Sequence, residues 1–399
     1  MNSPIIYLNS NDGSGLLAFG EGERISGTTG STVEVIQQFL DQHKGKYIFG
    51  YFSYDLNDKL AGIPSGNTDR LKFPDLFLWV PSHVVQLDHE NIRFLQGEKD
   101  PQTLEFVSLL MEEETDHNFH TYHFDFRSRI SKKEYIEKVN FLKEHIQQGN
   151  IYEVNFCQEY YAENVDIPFE LDAYFKLNQL TLAPNSAFMQ WDEYMVLCGS
   201  PERFLKKEGT RLTSQPIKGT AARGENEQED EANKKALFSD KKERSENIMI
   251  VDLVRNDLSR IAEPNSVQVD ELCGIYTFET VHQMISTVSC EVKKDIQLTD
   301  ILKATFPMGS MTGTPKLRAM ELIEETESFK RGLYSGSIGY ITPDGDFDLN
   351  VVIRSFLYNK NEKYLSCSVG SAITIKSDPE KEYEECQIKV KRLMDGMNA

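Results

Sequence analysis

Lys242-Glu243-Arg244-Ser245-Glu246-Asn247-Ile248-Met249-Ile250-Val251-Asp252-Leu253-Val254-Arg255-Asn256-Asp257 begins polar, turns apolar, and predicts a helix. Its apolar positions bury one face, which fixes the direction in which the polar start points. Glu243 and Glu246, three residues apart, therefore project on one side. A second pair with the same spacing, Glu382 and Glu385, lies in a closing helix with Asp378 as N-cap and Pro379 in the first turn, ending near Gly396. Four such carboxylates, if they converge, form an all-oxygen set that suits magnesium, with positions left open for substrate oxygens. Lys389, one turn beyond the second pair, is placed to hold a substrate carboxylate beside the ion. Taken singly, either pair in a chain with 63 acidic residues reads first as a solvated helix face.

The segments around these helices are strand-like. Short runs at 4–8, 15–19, 47–54, 76–80, 84–87 and 92–95 are separated by Gly, Asn and Asp, and an acidic stretch at 111–118 reads as a connector. Ser131-Lys132-Lys133-Glu134 is a capping box that opens an amphipathic helix to about Gln148, stopped by Gly149-Asn150. Further strands are expected at 151–158, 186–191, 194–199, 204–206 and 210–214. A charged helical region over 226–257 follows, then strands at 267–269, 287–292, 334–341, 349–357 and 364–375. Strands adjoin strands more often than they alternate with helices, which favours an antiparallel α+β fold over a doubly wound parallel sheet.

Composition narrows the function classes. A 399-residue chain that is 39% hydrophobic can bury a sizeable core. No window approaches the ~18 apolar residues of a membrane span, and Met1-Asn2-Ser3-Pro4 does not open a secretory signal, so a cytoplasmic protein is expected. The six cysteines include no C-x-x-C pair, which argues against a disulfide framework or zinc site. A net charge of -20 disfavours nucleic acid and anionic membranes as partners, and an anionic substrate would need strong local positive charge.

The motifs, in this order, resemble the chorismate-utilising enzymes from about Ser131 to Met394. They include Gly149-Asn150-Ile151-Tyr152-Glu153-Val154-Asn155, Ser200-Pro201-Glu202-Arg203-Phe204, Pro216-Ile217-Lys218-Gly219-Thr220, the Glu243 to Asp257 run and Thr280-Val281-His282. Phe306-Pro307-Met308-Gly309-Ser310-Met311-Thr312-Gly313-Thr314-Pro315-Lys316, Ser337-Ile338-Gly339-Tyr340, Val352-Ile353-Arg354 and Asp378-Pro379-Glu380 complete the set. Gly50-Tyr51-Phe52-Ser53-Tyr54-Asp55-Leu56 is a weaker match near the N-terminus. The resemblance implies two large antiparallel sheets packed together with helices outside. It implies a strand-rich region 1–125 contributing to the same body as a chorismate-binding catalytic domain 126–399. It also implies chorismate bound over Mg2+, with Glu246 and Glu385 as direct ligands and Glu243 and Glu382 reaching the ion through water. Gly219, Thr220, Tyr340, Arg354, Gly370 and Lys389 are implied as substrate contacts, and His282 as a residue near the ring, although a lone histidine among apolar neighbours reads equally as part of the core.

Lys218 points to a branch of the family. Anthranilate-forming members usually carry alanine there, whereas Pro-Ile-Lys-Gly-Thr resembles the members that aminate chorismate at C4, with the lysine attacking C2. Such a lysine must be neutral, which calls for desolvation or a neighbouring cation. The leaving hydroxyl needs an acid, for which Glu202 and Glu243 are the candidates. Water-using members place lysine where this chain has Glu153, and amine-transferring members usually have glutamine there. Ala221-Ala222 replaces the usual Arg-Pro, and Gly370-Ser371-Ala372 is less glycine-rich than the family turn. None of the cysteines sits in the Gly-x-Cys-x-Gly context of a glutaminase, so a glutamine amidotransferase partner is expected to supply ammonia. No lyase-like extension follows Ala399, so conversion of the product to 4-aminobenzoate is expected elsewhere.

Overall fold

In the computed structural model, which describes residues 3–27, 32–89, 91–115 and 119–399, every named strand pair is antiparallel. An eleven-stranded sheet runs Gly313–Thr314, Glu153–Glu163, Tyr364–Thr374, Ser355–Asn359, Tyr194–Ser200, Asn185–Trp191, Ile5–Asn9, Ser14–Phe19, His83–Asp88, Asn91–Gln96, with Arg127–Ser128 also on Glu153–Glu163. A ten-stranded sheet runs Ile217–Ala222, Val281–Glu291, Arg211–Gln215, Arg203–Glu208, Phe347–Asn350, Ser337–Ile341, Ile48–Phe52, Leu76–Trp79, Arg24–Ser26, with Gln268–Thr277 also on Val281–Glu291. The fold is therefore α+β, as the sequence predicts.

Side-chain alternation explains the layering. Along Asn185–Trp191, Ala187, Met189 and Trp191 face the second sheet, and Phe188 faces helices on the other side. Trp191 stacks on Phe77 of the second sheet with ring centroids 4.2 Å apart. The core between the sheets continues under Thr32–Gln42, Lys241–Ser259 and Leu298–Thr305 through Ile36, Phe39, Ile250, Val254 and Ile301. A second core holds Lys132–Gln147, Glu170–Thr181, Lys316–Thr326 and Pro379–Asn398 on the outer face of the first sheet. None of the described helices is long and apolar enough to cross a membrane.

The capping box at Ser131 forms, with both reciprocal bonds present, and the helix it opens spans Lys132–Gln147. Five helices of eight residues or more depart from the strand-rich reading: Thr32–Gln42, Pro101–Thr115, Glu170–Thr181, Leu298–Thr305 and Lys316–Thr326. The expected connector at 111–118 is helical as far as Thr115, and its residues 116–118 lie outside the described residues, as do Met1 and Asn2. The single strand expected over 349–357 is two, Phe347–Asn350 and Ser355–Asn359. They are separated by a bend in which Arg354 takes a φ of 55°, a left-handed conformation that ends the ladder.

A buried ion pair braces the floor of the main cavity. The Arg331 guanidinium donates to both Glu327 carboxylate oxygens at 2.6 and 2.9 Å, and to the carbonyls of Met311 at 2.6 Å and Asn155 at 2.9 Å. Glu327 also accepts from the Cys157 backbone at 2.8 Å. All the charged atoms are thereby partnered, which is the condition for burying such a pair.

Candidate active site

Asp240 caps the helix Lys241–Ser259 by accepting from the backbone N–H groups of Lys242 and Glu243. Asn247 then fixes the rotation of this helix: its amide donates to the Met284 carbonyl at 3.2 Å and the Lys218 carbonyl at 3.4 Å, and its oxygen accepts from Ser286 at 2.5 Å. With the helix so held, Glu243 and Glu246 face a cavity of about 610 Å³ at the ends of both sheets. Asp378 caps Pro379–Asn398, and Glu382 and Glu385 line the same cavity. The Ser371 hydroxyl donates to Glu382.

Lys218, Gly219, Thr220, Glu202, Arg354, Gly370 and Lys389 line it too. Eleven of the thirteen residues proposed from sequence thus meet at one cavity, whose volume suits a small organic ligand. Gly219 has a φ of 96°, which glycine alone adopts readily. At Gly370 a Cβ would stand 2.2 Å from Asn155 Oδ1, so any other residue would have to displace the Asn155 side chain from the wall.

Two expectations are corrected. His282 is fully buried on the opposite face of its strand, bonded to Asp230 and Thr277 at 2.9 Å each, and does not line the cavity. Its neighbour Gln283 does, with a buried Oε1 that has no hydrogen-bond partner among the described residues. Tyr340 lines a separate cavity of about 210 Å³ with Asn9, Asn185 and Asp348, so it is not placed to contact a ligand beside Lys218. Strand period decides the first case, because one residue of register carries a side chain to the other face; in the second, the whole strand Ser337–Ile341 lies away from the main cavity.

Electrostatics divide the carboxylates. Burial pushes Glu202 up to about 7 against the pull of Lys218, and pushes Glu246 up to about 7 as well. Burial also raises Glu243. For Glu385 burial acts upward, but the Lys389 ammonium 2.6 Å away and the charges of Lys242 and Lys218 hold it below its usual value. Lys218 departs from the neutral amine expected: burial alone would lower it, yet the carboxylates of Glu153, Glu246 and Glu202 carry it above its ordinary value.

Lys242, which sequence reasoning passed over, stands between the acidic pairs, with Nζ 3.7 Å from Glu246 and 3.5 Å from Glu382. Its spacing of four from Glu246 was the available signal. With this ammonium between them, no three His, Cys, Asp or Glu among the described residues stand close enough to hold an ion as a group. The donor chemistry nonetheless fits a hard cation: four carboxylates share the cavity, and Glu246 Oε1 is buried without a hydrogen-bond partner among the described residues. Arg392 and Asn155, also unflagged by sequence, line the cavity, and no described carboxylate pairs with the Arg354 guanidinium there.

A family model described as chorismate binding enzyme matches residues 3–395. Aminodeoxychorismate synthase component 1 of Escherichia coli (strain K12) is 32% identical over 385 residues, covering 94% of this chain and 84% of that protein. Anthranilate synthase component 1 of Aquifex aeolicus (strain VF5) is 33% identical over 396 residues, covering 91% of this chain and 78% of that protein. Among solved structures, anthranilate synthase component I from Streptococcus pneumoniae TIGR4 superposes with a TM-score of 0.80 at 26% identity, covering 95% of this chain and 92% of that one.

Proposed function

This chain belongs to the family of chorismate-binding enzymes, and from that premise we propose that it is the chorismate-aminating component of an aminodeoxychorismate synthase. It converts chorismate and ammonia to 4-amino-4-deoxychorismate and water, as a cytoplasmic step toward 4-aminobenzoate and folate. The observation that carries this reading over anthranilate formation is Lys218, an amine on the cavity wall in the Pro-Ile-Lys-Gly-Thr run, where the strand Ile217–Ala222 begins.

Arg354 and Lys389 supply the local positive charge that an acidic protein needs to receive a dicarboxylate, Arg354 by a fork matched to carboxylate geometry. Lys218 Nζ bonds to C2 as the C4 hydroxyl leaves and the ring double bonds move. Glu202, protonated up to about pH 7, gives its proton to the departing oxygen. Ammonia then bonds to C4 and the C2–Nζ bond breaks, which returns the lysine, while the new C4 ammonium gives a proton back to the Glu202 carboxylate. Glu246, Glu385, Glu243 and Glu382, which share the cavity, would be the residues to hold Mg2+. When bound, the ion would supply positive charge to anchor a substrate carboxylate.

The Escherichia coli and Aquifex relatives are each called component 1, which supports a partner subunit, and we assign it the delivery of ammonia from glutamine. Incubation with chorismate, Mg2+ and ammonium, followed by mass spectrometry, tests the reading. The expected product is 4-amino-4-deoxychorismate. Anthranilate with pyruvate would place the chain in the other branch.

A further inference from the structure

Glu153 has no part in the scheme above, yet it is the acidic group nearest its nucleophile. It begins the strand Glu153–Glu163, in register with Thr314 on one side and Thr374 on the other, and is 1% exposed. One carboxylate oxygen, Oε1, lies 3.4 Å from Lys218 Nζ. The other, Oε2, is buried with no hydrogen-bond partner among the described residues. Glu153 is not on the cavity wall that Lys218 helps to form. The lysine therefore stands between the carboxylate and the space a substrate would fill.

We propose that Glu153 is the proton acceptor that frees the Lys218 amine to attack, a role that rests on Lys218 being the nucleophile. An Nζ–H bond of the ammonium breaks, the proton passes to the Glu153 carboxylate, and the nitrogen keeps the electron pair that forms the bond to C2. A buried ion pair becomes a neutral amine beside a neutral acid, so no uncompensated charge is created. When the C2–Nζ bond breaks, the amine is released with its electron pair and takes the proton back from Glu153.

The groups facing Lys218 narrow the choice of acceptor. They are Glu153 from its strand, Glu202 from the turn before Arg203–Glu208, Glu243 and Glu246 from Lys241–Ser259, and Glu385 from Pro379–Asn398. Of these only Glu153 forms an ion pair with Nζ. Glu202 is needed as the acid and must arrive carrying its proton, so acid and base fall to two different carboxylates.

The test uses the full chain with chorismate, Mg2+ and excess ammonium, comparing wild type, Glu153→Gln, Glu153→Asp, Lys218→Ala and the Glu153→Gln/Lys218→Ala double variant. Glu153→Gln is expected to keep KM for chorismate within about twofold and to lose on the order of 100-fold in kcat at neutral pH. Its kcat should climb tenfold per pH unit on the alkaline side as solvent replaces the missing base. Glu153→Asp should restore part of the rate with the wild-type pH profile, and the double variant should be no slower than Lys218→Ala. Wild-type kcat in Glu153→Gln, or a loss equal at every pH, overturns the role. Anthranilate from the wild type, or full activity in Lys218→Ala, overturns the functional reading and this role with it.

Discussion

Glu202 shows how one buried carboxyl ties stability to catalysis. Its ordinary value of 4.5 rises to about 7 in the folded chain, so between those pH values the native state keeps a proton that the unfolded state has lost. Folding stability from this group therefore falls as pH rises through that window. Glu202→Gln removes the penalty. Urea melts should show the variant gaining on the order of 3 kcal/mol over wild type at pH 8, at about 1.4 kcal/mol per unit, and no gain at pH 4. A gain that does not widen with pH would mean the carboxyl is not raised. The same variant should lose ~10²–10⁴ in kcat, because an amide donates no proton to the leaving oxygen. At this scale the sequence was informative about identity and uninformative about direction. Motif order put Lys218, Glu202 and the four glutamates in one place. Whether His282 or Gln283 faces the cavity depends on which face of a strand is inward, and a short motif does not encode that.

Among the elements, those with strong local signals were legible. Ser131 and Asp378 announce their helices because a side-chain oxygen satisfies backbone donors nothing else would reach. Thr32–Gln42 was missed because Thr32, Val33, Val35 and Ile36 favour strands, and the burial of Ile36 and Phe39 overrides that preference. The acidic run before Thr115 concealed another helix, since charge without clear periodicity reads as a loop. The Phe306–Lys316 motif resolves into a structural joint: Lys316 donates to Asp257 at 2.5 Å and to the carbonyls of Thr305 at 2.8 Å and Pro307 at 2.7 Å. Two of the family-like runs are thus halves of one contact. The Arg331–Glu327 brace is the element-scale prediction. Arg331→Met strands a buried carboxylate and should cost about 3–5 kcal/mol in denaturant unfolding, and adding Glu327→Met should recover much of it. A double variant as unstable as the single would show that the backbone bonds, and not the charge, do the bracing.

Across the whole molecule, the cavity draws on both sheets and two helices whose contributing residues lie far apart in sequence, which is why no single stretch revealed it. Composition set the demand for local positive charge, and Lys218, Arg354 and Lys389 meet it within a chain of net charge -20. Magnesium at a hundred times its dissociation constant should stabilise the native state by about 2.7 kcal/mol, reversed by chelation. Glu246→Gln should abolish that gain in thermal melts, and an undiminished gain would place the ion elsewhere. The interleaving of early and late strands has a consequence for biogenesis. Ile48–Phe52 pairs with Ser337–Ile341, and the Ser53 hydroxyl donates to the Gly332 carbonyl across 279 residues. On the ribosome, the first strands emerge long before their late neighbours exist, and an unpaired edge on a strand destined for full burial is a template for pairing between chains. The nascent N-terminal third therefore has to keep that edge from other chains until the last third is made.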